Sequence, residues 1–118
     1  MGRYDELLAF IGETAGQFGT FRVVAVNPTD GTQVPITEIF IDDGHGEICL
    51  VSKAKADAAN LVLSNVFSEL QGQLRLHPAY SLTVSEWFEI DAEYTGRFDM
   101  PLISIEVDEQ SQTVQLIY

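Results

Sequence analysis

A short acidic segment is the first place in the chain where residue types and spacing could do chemistry. Residues 42–47 hold three carboxylates and one imidazole, on Asp42, Asp43, Glu47 and His45. Hard cations bind several oxygen ligands at once, and a turn with glycines can gather them, although this spacing differs from that of an EF-hand. The alternative is a solvated hairpin turn in which Gly44 and Gly46 take positive φ angles. We favour the hairpin turn and predict no metal or cofactor, because the matching turn of the repeat described below loses the histidine and both glycines.

A second candidate is an acidic and aromatic segment in the C-terminal half. The residues that would form this partner or ligand surface are Glu86, Trp87, Glu89, Asp91 and Tyr94. In a strand, Trp87, Glu89 and Asp91 share one face, where they could bind a cationic ligand or a partner's Lys or Arg by ion pairing and cation–π contact. The alternative, which we favour, is an edge strand whose charges prevent unwanted pairing, with Trp87 half-buried over the helices.

The residues available for catalysis are few. His45 and His77 are the only histidines, and neither lies in a nucleophile motif; His77 precedes Pro78 and predicts a bend. The single cysteine, Cys49, lies inside an apolar strand pattern, where a buried and inert thiol is expected. Because it has no partner for an internal disulfide, a reducing cytoplasm is the simplest location. We predict no catalytic residues and a protein that is not an enzyme.

Composition limits the class of partner. The chain has 118 residues, with 18 acidic and 6 basic side chains and a net charge of −12. This charge would repel nucleic acid and anionic membranes, so we expect neither as a partner and leave basic proteins open. The apolar runs are too short for a transmembrane helix, and Asp5 and Glu6 stand where a signal peptide would carry positive charge.

An internal repeat provides the strongest indication of architecture. Residues 34–52 align without a gap on residues 100–118 at an offset of 66, and each segment reads as a strand, a polar turn and a returning strand. Strand alternation places one apolar set on the core face: Ile39, Ile41, Ile48, Leu50, Ile105, Val107, Val114 and Leu116. On the opposite face of the first hairpin, Phe40, Cys49 and Val51 form an apolar patch that needs a cover, either another element or a second copy of the chain.

A helix and one more strand precede each hairpin. Helical spacing predicts a first helix from Tyr4 to Phe18, with Gly12 and Gly16 permitting close approach to a neighbour and Gly19 ending it. A second helix is expected from an N-cap at Ser52 to Gly72, and strands are expected over residues 20–27 and 81–91. The fold class is therefore a single α+β domain over residues 1–118. It contains two tandem α-β-β-β units, at about residues 3–52 and 53–118, that form mainly antiparallel sheet with both helices on one face, as one sheet or as two three-stranded sheets.

Three functional hypotheses are compatible with this pattern. The first is a small acidic protein that binds another protein, basic in character, as an accessory, inhibitor or immunity-like factor. The second is a homodimeric structural or accessory protein joined through Phe40, Cys49 and Val51. The third is a sensor or small enzyme for a cationic ligand at Trp87, Glu89 and Tyr94. We rank them in that order.

Overall fold

A computed structural model describes residues 4–53, 60–89 and 95–118 of the chain. Two helices and eight strands follow one another in these ranges: α1 (Asp5–Phe18), β1 (Arg22–Val26), β2 (Gln33–Pro35), β3 (Glu38–Asp42), β4 (Glu47–Lys53), α2 (Leu63–Leu76), β5 (Ser81–Glu89), β6 (Thr95–Pro101), β7 (Ser104–Asp108) and β8 (Thr113–Ile117). The protein is thus an α+β domain, as predicted. Neither helix is long and apolar enough to cross a membrane.

The strands form two mixed sheets of four. The strand order is β2-β1-β8-β7 in the first sheet and β3-β4-β5-β6 in the second. Each sheet consists of two antiparallel hairpins joined in the middle by a parallel pair, β1 with β8 and β4 with β5. The sequence analysis predicted the antiparallel hairpins but neither the parallel pairs nor four strands per sheet.

The two hairpins predicted from the aligned segments both form. Ile39 lies opposite Leu50 in β3–β4, and Ile105 lies opposite Leu116 in β7–β8. Of the eight residues predicted to face the core, Ile48, Leu50, Val114 and Leu116 are buried, and the other four are partly buried against the same cluster. The assignment of faces from strand alternation is therefore confirmed.

Both helices contribute to this single core. Ile11 of α1 and Leu63, Val66, Leu70 and Leu74 of α2 are buried with residues from both sheets. The helices also approach each other closely at Gly12, where a Cβ atom would lie 3.0 Å from the ring of Phe67. The close approach predicted at Gly12 is therefore present, whereas at Gly16 a Cβ would meet nothing within 4 Å.

Three boundaries differ from the sequence expectation. Ser52 does not cap a helix but lies buried within β4, and α2 begins at Leu63 and continues past Gly72 to Leu76. The strands β2 and β6 were not predicted as separate strands, because residues 34–35 and 100–101 were included in the hairpin segments, whose first strands begin in the structure at Glu38 and Ser104. Strands β2 and β6 lie at sheet edges, where proline is tolerated.

Candidate functional site

One face of the second sheet carries a group of polar and aromatic side chains. We call it the outer face, because the alternate residues of the same strands, such as Leu50 and Val84, point into the core. The register places the following residues on the outer face: Phe40, Asp42, Glu47, Cys49, Val51, Thr83, Ser85, Trp87, Arg97 and Asp99. Only the folded sheet brings them together, since they come from four different strands.

Arg97 forms the centre of an ionic network on this face. Its Nη2 binds Oδ2 of Asp42, and its Nε and Nη2 each lie 3.0 Å from Oδ2 of Asp99. Oε2 of Glu47 lies farther away, 3.9 Å from Nη2. The hydrogen bond between Asp42 and Arg97 raises the pKa of Arg97 and, with help from His45, holds the pKa of Asp42 below its ordinary value. The network therefore favours an ionised Asp42.

Two aromatic rings lie beside this network. Phe40 and Trp87 make an edge-to-face contact with 5.3 Å between ring centroids, and the guanidinium carbon of Arg97 lies 5.9 Å from the Phe40 centroid. Phe40 is 37% exposed, whereas Cys49 and Val51 are fully buried. Of the three residues of the predicted self-association patch, only Phe40 offers surface that a second copy could contact.

The acidic turn between β3 and β4 directs its side chains to different partners. Asp42 accepts hydrogen bonds from Arg97 and from the backbone N–H of His45, and its Oδ2 lies 2.9 Å from Nδ1 of His45. Asp43 accepts a hydrogen bond from the Tyr80 hydroxyl, which raises the pKa of Tyr80. Gly46 has the predicted positive φ of 64°, but Gly44 does not have a positive φ. Within the described residues, the three turn carboxylates do not form one group of ligand atoms.

The second predicted surface is divided between two faces of the sheet. Trp87 is half-buried on the outer face, whereas Glu86 is exposed and points to the opposite side. Asp91, Tyr94 and the side chain of Glu89 lie outside the described part of the chain. The edge-strand interpretation is wrong for β5, because β4 and β6 pair along its two sides.

A shallow apolar cleft lies on the other side of the same sheet. Both sheets line it, through Ala25, Val34, Ser52, Val84, Glu86, Phe98, Met100 and Tyr118. Its enclosed volume is about 10 Å³, the space of a single water molecule, so it does not enclose a metabolite. Phe98 and Met100 are nevertheless 64% and 44% exposed, so much of the apolar surface at the cleft lies open to solvent.

Two acidic residues, Glu86 and Asp30, influence this apolar surface. Glu86 lies directly across the strand pair from Phe98 and lines the same cleft. Burial and the negative charges of Glu86 and Asp30 raise the pKa of Tyr118. The sequence analysis named Glu86 but missed Phe98, Met100 and Tyr118. Phe98 and Met100 alternate with the charged residues Arg97 and Asp99, and this alternation could have predicted a strand with one apolar face. The strand was missed because Gly96 and Pro101 have low strand propensity.

A wider depression lies between β3 and α2, with a volume of about 620 Å³. Its lining is polar and includes Thr37, Ser64, Ser68, Glu38 and Glu69. No histidine or cysteine lines it in the described part of the chain, so it lacks the side chains that commonly supply a nucleophile with its base.

Comparisons with protein-family models, with curated proteins and with solved structures find no match to this chain. Its function is therefore argued from its own residues.

Proposed function

We propose that this protein is a protein-binding module whose acid-rimmed apolar cleft holds a segment of a partner protein. The segment has apolar side chains that cover Phe98 and Met100, flanked by Lys or Arg residues that meet Glu86 and Asp30. The observation that carries the proposal is the pair of exposed apolar side chains beside these acids. This is a more specific form of the acidic, non-enzymatic interaction protein expected from composition.

The apolar part of the cleft favours a protein partner. Exposed apolar residues that occur singly are ordinary, whereas neighbouring ones mark contact surfaces. Aromatic residues and methionine are enriched where proteins meet, because their large side chains become buried there. Phe98 and Met100 lie two residues apart on one face of an edge strand, so one partner segment can cover both.

Charge favours a basic partner over a second copy of the chain. Each copy carries a net charge of −12, Glu86 lines the cleft, and the charge of Asp30 acts on Tyr118, which also lines it. Two such clefts placed face to face would bring like charges together, which opposes association, whereas Lys and Arg would be attracted during approach.

We also propose that the internal repeat seen in the sequence extends to the whole fold. We infer that residues 3–52 and 53–118 are tandem units with a common pattern. Two observations support this inference: four strands follow each helix, and the offset of 66 places β3–β4 on β7–β8. The cleft would then lie between corresponding strands of the two units. Val34 of β2 lines it from the first unit, and Met100 of β6 lines it from the second.

The test is an array of synthetic peptides in which apolar content and net charge vary independently. We expect the protein to retain peptides that combine apolar residues with Lys or Arg, and to release them at high salt. The double variant Phe98→Ser, Met100→Ser should bind at least about 10-fold more weakly, since interface anchors each contribute more than about 1 kcal/mol. Leu76→Ser is the matched control, because Leu76 is 71% exposed on α2 away from the cleft.

A second pair of variants tests the acidic rim. Glu86→Gln should weaken retention and reduce its salt dependence, whereas Glu106→Gln, which removes an exposed acid on β7, should not. Retention of acidic or uncharged apolar peptides, or equal effects of the cleft and control variants, would contradict the proposal. So would a salt-resistant dimer in light scattering that the double variant converts to a monomer, because the cleft would then bind a second copy.

A further inference from the structure

The outer face brings together three side chains that can ligate a metal ion. Glu47, Cys49 and Asp99 each offer one ligand atom, and these atoms all lie within 4.8 Å of one another. Glu47 and Cys49 alternate along β4, whereas Asp99 is on β6, with β5 between them. We propose that this group is a binding site for a divalent zinc-like cation, with the Thr83 hydroxyl as a further ligand or hydrogen-bonding group.

Thr83 provides the second observation that points to a ligand. It lies directly between Cys49 on β4 and Pro101 on β6, on the same face as Ser85. Thr83 is only 8% exposed, and its Oγ1 is buried without a hydrogen-bond partner. A buried hydroxyl without a partner is costly and rare. Ser85, two residues along, shows the usual arrangement, since its hydroxyl donates to Oδ1 of Asp99 at 2.5 Å.

Charge balance gives independent support. The side chains of Asp42, Glu47 and Asp99 are 13%, 25% and 25% exposed, and they surround the single guanidinium of Arg97. Three carboxylates and one guanidinium leave two negative charges in excess, and a divalent cation bound by the Cys49 thiolate would reduce this excess to one. Arg97 forms hydrogen bonds with Asp42 and Asp99, whereas Oε2 of Glu47 is buried and accepts no hydrogen bond. This unpaired oxygen fits the role of a metal ligand.

The ligand types select the metal. Magnesium and calcium prefer sets made entirely of oxygen, whereas zinc binds a mixture of thiolate and carboxylate. When the bond from sulfur to the metal forms, the thiol proton of Cys49 passes to solvent, and no electron is transferred. The ion would enter from the side of Glu47 and Asp99, since Cys49 has no exposed surface. This inference is independent of the proposed function, because the cleft lies on the opposite face of the sheet.

The experiment is a calorimetric titration of the chelator-treated full chain with Zn²⁺, repeated with Co²⁺ and followed by absorbance. We expect saturable binding of one equivalent, a thiolate-to-cobalt absorption band in the near ultraviolet, and a change in the fluorescence of Trp87, the only tryptophan. Asp99→Asn should weaken binding by more than about 10-fold, the lower limit for losing even an outer-sphere partner. Glu106→Gln is the matched control for non-specific binding to surface acids and should have no effect.

Two results would overturn the inference. One is the absence of saturable binding, or a weak binding that Asp99→Asn and Glu106→Gln reduce equally. The other is one-equivalent binding of cobalt without the thiolate band, because the ion would then lie away from Cys49. The band is measured on the unaltered chain, so the second result is decisive even if a Cys49 variant fails to fold.

Discussion

The substitution Thr83→Val gives the sharpest test of the outer face, because it replaces one hydroxyl with a methyl group of similar size. Thr83 is 8% exposed and its hydroxyl has no partner. A buried unpaired polar group costs about 1–3 kcal/mol, and Val removes that cost while keeping the β-branched shape. We therefore expect the metal-free variant to be more stable than the unaltered protein by about 1–2 kcal/mol. For a chain of this size, each kcal/mol corresponds to a rise in Tm of about 4 °C.

Thr113→Val is the matched control. Thr113 is also buried, at 4% exposure, but its hydroxyl lies 2.6 Å from that of Ser111 and shares a hydrogen bond with it. Its replacement should lower stability by about 0.5–1.5 kcal/mol, the net value of a typical hydrogen bond. The assay is urea unfolding of both variants in the presence of a chelator, followed by circular dichroism.

Zinc should reduce or reverse the stability advantage of the Thr83→Val variant over the unaltered chain. A ligand present at 100 times its Kd stabilises the folded state by about 2.7 kcal/mol, and the Thr83→Val variant should gain less than the unaltered chain. If Thr83→Val instead destabilises the metal-free protein as Thr113→Val does, the Thr83 hydroxyl has a partner and the reasoning fails.

Three further outcomes follow from the described contacts. Leu50→Ala should lower the free energy of unfolding by about 2–5 kcal/mol in urea denaturation, because Leu50 is 1% exposed at the centre of the second sheet. Gly46→Ala should cost about 1–2 kcal/mol in the same assay because φ is +64°, whereas Gly44→Ala should be nearly neutral; equal effects would contradict the turn geometry. Arg97→Gln should flatten the acid limb of the stability profile, measured by urea unfolding from pH 6 down. The lowered pKa of Asp42 adds stability that is complete above its unfolded pKa of about 3.9 and is lost as pH falls towards the folded value, and an unchanged acid limb would refute this role of Arg97.

The sequence predicted the parts of the fold that depend on local patterns. Ile39 and Ile105 alternate with polar residues around polar turns, so both hairpins and their core faces could be assigned. The segment 95–101 could not be read as a strand, since Gly96 and Pro101 have low strand propensity and its pairing with β5 supplies the stabilisation. Ser52 looked like a helix cap by residue type, but its neighbours on β5 hold it in a sheet.

The candidate site was less predictable because it depends on long-range pairing. Asp42 and Cys49 were recognised as residues of interest, but nothing local indicates that Arg97 meets Asp42 across 55 residues. Nothing in the sequence distinguished Thr83 from other threonines, because only the folded sheet shows that its buried hydroxyl has no hydrogen-bond partner. Local alternation identifies a face of a strand, whereas only strand order identifies which residues share that face across a sheet.

The parallel pairing of β1 with β8 has a consequence for how the chain folds. The register joins Val24 to Gln115, so the first sheet closes only after the long segment between these two residues is available. Such distant pairing requires a large loss of chain entropy before the stabilising contacts between the strands can form, which slows folding. Until then, β1 presents an unpaired edge that can recruit other strands. The cleft shares this dependence, because Ala25 and Tyr118 both line it, so the cleft forms only after β1 and β8 have paired.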